Sequence, residues 1–179
     1  AYNFDAPLID VGDYSILELF DGPTLAFKDF GARFMGRLMG YFLQGNNTEV
    51  NILVATSGDT GSAVAHGFLN VKGINVTILY PKGKVSNIQE KQFTTLGANI
   101  TSIEIDGTFD DCQALVKQAF LDQELNEKLT LSSANSINIA RLIPQTFYYF
   151  YAYKQVANNK LPFYFSVPSG NFGNLTAGL

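Results

Sequence analysis

Cysteine and histidine are nearly absent from this chain: Cys112 and His66 are the only ones in 179 residues. A lone cysteine cannot close an internal disulfide, which is the usage expected of a reducing compartment. Charge is sparse too, at 16% of residues, with a net charge of −4 and a pI near 4.9. Twelve lysines and arginines on an acidic background do not suit nucleic acid as the main partner, though a local cationic pocket for a small anion stays open. Long apolar runs are missing, each being interrupted well before the roughly 20 residues that a membrane span needs. No charged-then-apolar leader opens the sequence. The expectation is a soluble, cytoplasmic protein with neither membrane nor nucleic acid as partner. Internal repeats and low-complexity tracts are absent, as are a G-x-G-x-x-G and a P-loop, so no nucleotide site is indicated.

What is present is apolar mass. Hydrophobic residues make up 46% of the chain, enough for a packed core and too many for disorder. The length suits one ordinary domain or the middle of a larger two-domain protein. The last segment, "SGNFGNLTAGL", stops as a helix begins, and a longer protein is expected from it. Short β-branched runs read as strands at "VNILVAT" (50–56), "INVTILY" (74–80), "ANITSIEID" (98–106), "LTLSS" (129–133) and "LPFYFSVP" (161–168). Helical segments alternate with them: from near Ser62, across "SNIQEKQFTTLG", across "FDDCQALVKQAFLD", and through "RLIPQTFYYFYAYKQVA". Strands of continuous apolar character between helices predict an α/β fold, with parallel sheets flanked by helices on both faces and right-handed crossovers. Cys112 reads as a small core residue, His66 as structural, and the "FYYFYAY" stripe (147–153) as a helix packed on most sides or at an interface.

In such sheets ligands bind beyond the carboxyl ends of the strands. Three loops there draw attention. In "SVPSGNFGNLTAG" (166–178) glycines and backbone N–H groups ahead of a helix near Leu175 suit a phosphate, or simply make a strand-to-helix turn. In "ATSGDTGSA" (55–63) Ser57, Asp59 and Thr60 either cap a helix or also present N–H donors to a carboxylate. In "SSANSINIAR" (132–141) Asn135, Ser136, Asn138 and Arg141 gather donors and one fixed cation, which suits a phosphate or an ordinary turn. Lys28, between Phe27 and Asp29 and just ahead of an expected helix, either snorkels to solvent or is a nucleophilic amine, since flanking rings and a helix N-terminus both oppose its charged form. Taken together, a lysine nucleophile, a phosphate cradle and a carboxylate-binding turn in an α/β fold specify pyridoxal phosphate chemistry.

These residues also carry a family resemblance. "ELFDGPTLAFKDFGARF", "ATSGDTGSAVAHGF", "LYPKGKVSNIQEKQFTTLGANI", "DDCQALVKQAF", "SSANSINIARLIPQTFYYF" and "SVPSGNFGNLTAGL" resemble the threonine synthase family in that order, over nearly the whole chain from Leu17 onward. The resemblance implies a tryptophan synthase β-like fold (fold type II) with pyridoxal 5'-phosphate as cofactor. It implies a small α/β domain over 46–145, with 1–45 and 146–179 contributing to an incomplete large domain. Lys28 is then the catalytic residue and the cofactor's covalent (Schiff-base) anchor. Gly170, Asn171, Phe172, Gly173 and Asn174 match the loop that binds the cofactor phosphate, and Asp59 lies beside the ring. Ser57, Gly58 and Thr60 match the turn that holds the substrate carboxylate, while Ser136 and Arg141 match residues that hold the substrate's phosphate. No metal ligand set is implied.

The implied reaction converts O-phospho-L-homoserine and water to L-threonine and phosphate by elimination and hydration, with Lys28 as base. The alternatives are another lyase of the same fold (a phospholyase or a serine/threonine dehydratase) or an inactive fragment. Arg141 separates the first reading from an ordinary dehydratase, but not from a phospholyase.

Overall fold

The computed structural model describes residues 3–135, 138–156, 162, 164–170 and 172–179. Four of the expected strands form close to their expected bounds: β3 (Val50–Ala55), β4 (Ile74–Pro81), β5 (Ile100–Ile105) and β6 (Thr130–Ser133). The first two strands, β1 (Leu8–Val11) and β2 (Tyr14–Leu17), make a separate antiparallel hairpin across Gly12 and Asp13. The four-stranded sheet has the order β5-β4-β3-β6, and every ladder in it is parallel. Parallel neighbours need crossovers. These are α2 (Asp59–Phe68), α3 (Asn87–Thr94), and the pair α4 (Phe109–Leu121) and α5 (Gln123–Lys128). Three helices lie outside that run: α1 (Lys28–Phe42), α6 (Ile139–Val156) and α7 (Gly173–Thr176).

The period of two along each strand divides the core between the sheet's faces. Ile52, Val54, Val76 and Ile78 face α1, α2 and α3, where they meet Met35, Val64, Phe68 and Phe93. Leu53, Ala55 and Leu79 face the opposite way onto Cys112 and Val116 of α4. Phe68 is fully buried, a contribution of about 2–3 kcal/mol from area alone. Burial also pushes the Cys112 thiol up from its usual range, which keeps it inert and fits a plain core residue.

Two close approaches set α1 against α2. A Cβ on Gly36 would stand 2.5 Å from the Gly67 carbonyl oxygen, and one on Gly67 would stand 2.8 Å from the backbone of Ala32. Lys28 meets Asp59 eight residues before that crossing on both helices, so α1 and α2 run side by side in the same sense, N-termini together.

The structure differs from the expectation in several places. The described residues of 161–168 form no strand, and Leu161 and Phe163 lie outside the description. A strand is stabilised by its ladder, and Tyr164 at 92% exposure has no strand beside it among the described residues. The aromatic stripe of α6 is covered on one side only: Tyr148 and Ala152 are buried one turn apart, while Phe147, Phe150, Tyr151 and Tyr153 are exposed. Helices begin earlier than expected, α1 at Lys28 itself, α2 at Asp59 rather than near Ser62, and α7 at Gly173 rather than near Leu175.

Candidate active site

Asp29 explains how the chain presents its neighbour Lys28. The Asp29 carboxylate is fully buried and turned back into the preceding loop, where it accepts from the Thr24 N–H at 2.9 Å and the Thr24 hydroxyl at 2.7 Å. Phe30 is anchored on the far side of α1, edge-on to Tyr148 at 5.4 Å, and the Tyr148 hydroxyl donates to the Phe27 carbonyl at 2.8 Å. With residues on both sides fixed, Lys28 is left at the open N-terminal turn. Its ammonium lies 5.8 Å from the centroid of the Phe27 ring and 3.4 Å from Asp59 Oδ2. An ammonium at a helix N-terminus opposes the dipole, and the Asp59 carboxylate supplies the compensating charge. The two side chains are 22% and 46% exposed, so the pair is worth under about 1 kcal/mol of stability. Its consequence lies in where it holds an amine.

The turn that carries Asp59 is built from the inside. Thr56, at the end of β3 and 1% exposed, accepts with its hydroxyl oxygen from the N–H groups of both Gly58 (3.0 Å) and Gly61 (2.8 Å). Gly58 takes φ +143, a conformation open to glycine, and its own N–H is thereby committed. Asp59 and Thr60 follow as the first residues of α2, and their N–H groups have no partner among the described residues. Ser57 is exposed at the lip. Of the expected trio Ser57, Gly58 and Thr60, Gly58 has its N–H committed to Thr56, while Ser57 is exposed and the Thr60 N–H has no partner among the described residues. Gly58 contributes its backbone shape.

The third and fourth groups lie around α6. Asn135 donates to the Ala55 carbonyl at 3.0 Å, tying the end of β6 to the end of β3, while Ser136 lies outside the described residues. Arg141 is 2% exposed, not on an open loop; its Nη1 donates to the Ala134 carbonyl, and its Nε has no partner among the described residues. Burial pushes the Arg141 guanidinium down to about 10, against upward pulls from Tyr148 and Asp29, so it stays charged at neutral pH. Gly170 is exposed with open space where a Cβ would be, and Asn171 lies outside the described residues. Phe172 takes a left-handed φ of 56°, and Gly173 and Asn174 open α7. The Tyr149 hydroxyl donates to the Asn174 carbonyl. Consecutive tyrosines of α6 therefore hold both ends of the candidate site: Tyr148 the start of α1, and Tyr149 the 170–174 loop.

Three residues of this arrangement escape the sequence expectation. Tyr148 acts through a backbone carbonyl 121 residues away, a signal that spacing does not carry. Thr56 acts on N–H groups only two and five residues on, a local threonine turn that the sequence could have shown. Gln89, in the first turn of α3, donates from its side-chain amide to Asp59 Oδ1. Its Ser86-x-x-Gln89 spacing is a helix-start signature visible in the sequence. A cavity of about 280 Å³ lies beside Phe30, walled by Leu17, Leu19, Phe147 and Tyr151, but it is mostly apolar and Lys28 does not line it. No helix among the described residues is long and apolar enough to cross a membrane.

An amine held at a helix N-terminus beside an aromatic ring, and a turn with two free N–H groups across from it, fit a small anionic cofactor joined through its aldehyde. The family model described as "Pyridoxal-phosphate dependent enzyme" matches residues 14–179, and the chain belongs to that family, with pyridoxal phosphate as its cofactor. Within it the similarity is to threonine synthases. The threonine synthase of Serratia marcescens is 59% identical across 100% of this chain, which spans 42% of that relative. Among solved structures, Escherichia coli threonine synthase matches with a TM-score of 0.86 at 55% identity, over 99% of this chain and 42% of that one. The pyridoxal-phosphate-bound threonine synthase of Brucella melitensis matches with a TM-score of 0.88 at 43% identity, over 97% of this chain and 38% of that one. The fold is accordingly fold type II, and this chain spans about two fifths of the length of these relatives.

Proposed function

We propose that the intact protein is a threonine synthase, converting O-phospho-L-homoserine and water to L-threonine and phosphate in the cytoplasm. The observation that carries this reading is the convergence of Lys28 and the Ser57–Thr60 turn, 31 residues apart, in a chain 59% identical to a threonine synthase. When bound, pyridoxal phosphate supplies an electron sink for negative charge developing at the substrate's Cα. Lys28 would hold the cofactor before substrate arrives and then take the Cα proton; a second proton leaves Cβ as phosphate leaves Cγ, and Lys28 returns protons as water adds at Cβ. Asp59 would stand beside the cofactor's ring. Ser57 and the N–H groups of Asp59 and Thr60 would bind the substrate carboxylate, on a turn shaped by Gly58. The backbone of Gly170, Asn171, Phe172, Gly173 and Asn174 holds the cofactor phosphate. Residues 46–145 form the small domain, and the segments on either side belong to the large one.

Arg141, together with Ser136, holds the substrate's phosphate and stabilises it as it leaves Cγ. Its buried Nε without a partner is the spare donor that this needs. Arg141→Met should lower turnover of the phosphorylated substrate about 100-fold, the effect of losing a charged hydrogen bond. Stability should fall by about 1–3 kcal/mol at most, because the buried Ala134 carbonyl loses its donor while an apolar chain of similar length fills the space. Equal loss with an unphosphorylated analogue would remove Arg141 from this role. The reading itself is tested on the intact protein by product analysis with O-phosphohomoserine and by borohydride reduction after adding pyridoxal phosphate. Threonine and a label on Lys28 support it; 2-oxobutyrate would make the protein a phospholyase, and a label on another lysine would displace Lys28.

A further inference from the structure

We propose that Gln89 is a positioning residue for the Lys28–Asp59 pair, fixing the Asp59 carboxylate so that one oxygen stays directed at the amine. The Asp59 carboxylate divides its two oxygens between two partners. Oδ1 accepts from the Gln89 side-chain amide, and Oδ2 accepts from Lys28 Nζ at 3.4 Å. A side chain 46% exposed would otherwise rotate among solvated positions and spread its charge around Lys28.

Gln89 can fix Asp59 because its own head group is fixed. Ser86, the N-cap of α3, accepts from the Gln89 N–H and donates its hydroxyl to Gln89 Oε1 at 3.1 Å. The Gln89 carbonyl accepts from the Ser62 hydroxyl of α2 at 3.3 Å. Gln89 Oε1 also fills the space beside Gly58, where a Cβ would stand only 2.2 Å from it. In the usual capping box the glutamine or glutamate reaches back to the N-cap backbone N–H. Here the amide turns outward instead, and since a carboxylate only accepts, it is the nitrogen that faces Asp59.

The other groups around Lys28 leave this control to Asp59. Asp29 turns its carboxylate into Thr24. From α3 come uncharged Ser86 and Gln89, while Glu90 acts on Tyr80. From α6 comes the Tyr148 phenol, whose proton is given to the Phe27 carbonyl. The catalytic meaning of the proposal rests on Lys28 being the cofactor's lysine, but the positioning does not.

The test is the rate at which formaldehyde and cyanoborohydride methylate Lys28 at pH 8 in the cofactor-free intact protein. Peptide mass spectrometry reads it against exposed Lys117 in the same digest. Gln89→Leu releases Asp59, so Lys28 should react roughly 3-fold faster, the size expected for loosening a partly exposed ion pair. Gln89→Glu adds a second carboxylate, so Lys28 should react roughly 3-fold slower. Asp59→Asn should accelerate Lys28 as Gln89→Leu does, and Gln89→Leu on top of Asp59→Asn should add nothing. Loss of structure alone would move both Gln89 variants in the same direction. An unchanged or slower Gln89→Leu, a faster Gln89→Glu, or further acceleration in the Asp59→Asn background each overturns the proposal. Should Gln89→Leu fail to fold, Gln89→Glu and Asp59→Asn carry the test through their opposite signs. Borohydride labelling with pyridoxal phosphate is run alongside: a label elsewhere than Lys28 overturns the cofactor reading and leaves the methylation result to decide the positioning.

Discussion

Two turns in this chain share a pattern and differ in construction. Ser57-Gly58-Asp59-Thr60-Gly61 and Ser169-Gly170-Asn171-Phe172-Gly173 both follow an apolar run and both precede a helix. In the first, the helix begins at the third residue with Gly58 as N-cap; in the second, it begins at the fifth with left-handed Phe172 as N-cap. The residue before each pattern accounts for much of the difference. Thr56 has a hydroxyl that takes two N–H groups and draws the first turn inward, while Pro168 has none. The second turn is closed by Asn174, which donates to the Pro168 carbonyl at 2.9 Å and accepts from the Ser169 hydroxyl. One turn is therefore fixed by the sheet beneath it, and the other by its own side chains and a tyrosine of α6. A glycine pattern specifies that a turn exists, and its neighbours specify how firmly it is held.

The sharpest way to break the comparison is Thr56→Val, which keeps shape and removes the hydroxyl. Two buried N–H groups lose their acceptor at about 1–3 kcal/mol each, so urea unfolding of the intact protein should show a loss of about 2–6 kcal/mol. A loss under about 1 kcal/mol would mean that Thr56 does not hold the turn. Next comes Gly58→Ala. Its φ of +143° strains any side chain, and the new Cβ meets Gln89. The expected loss is about 2–3 kcal/mol. Adding Gln89→Ala should recover part of it, because the clash is with a side chain while the backbone strain remains. Full recovery would show that the backbone carries no strain.

The same contrast explains what was legible in the sequence. The four strands that form have continuous β-branched runs and neighbours on the sheet, so local pattern and tertiary context agree. Residues 164–168 have the pattern without the neighbours, and no ladder forms. The hairpin of β1 and β2 lies outside the sequence expectation, although Gly12-Asp13 between two apolar segments is a two-residue turn signal. At the site, residue identity pointed to Lys28 and Asp59, because amines and turn-forming acids advertise themselves locally. Spacing could not show that Arg141 is 2% exposed, since an arginine after turn-forming asparagines reads as surface. The burial comes from α1 and α6 closing over it, with Gly31 leaving room for it. Tyr148 is hidden for a related reason: a tyrosine in an aromatic helix is ordinary until its partner, the Phe27 carbonyl, is known.

The smallest effects lie in the second turn. Asn174→Ala removes the bonds to Ser169 and Pro168 at a partly exposed position and should cost about 1 kcal/mol. Tyr149 gives that turn a pH dependence. Burial raises the Tyr149 phenol above its ordinary value of 10.0. The folded state then keeps this proton more tightly than the unfolded state, so the contribution is complete below pH 10 and is lost as pH rises through the folded value. Ionised Tyr149 also has no proton to give the Asn174 carbonyl, which should free the turn. A nitroxide on Gly170→Cys can report this, because Gly170 has open space around it and fully buried Cys112 should stay unlabelled. In the wild-type background its mobility should rise above pH 10, and with Tyr149→Phe it should be high already and flat across that range. The same rise in the Tyr149→Phe protein would show that alkaline loosening comes from elsewhere, and would leave Asn174 as the chief restraint on the second turn.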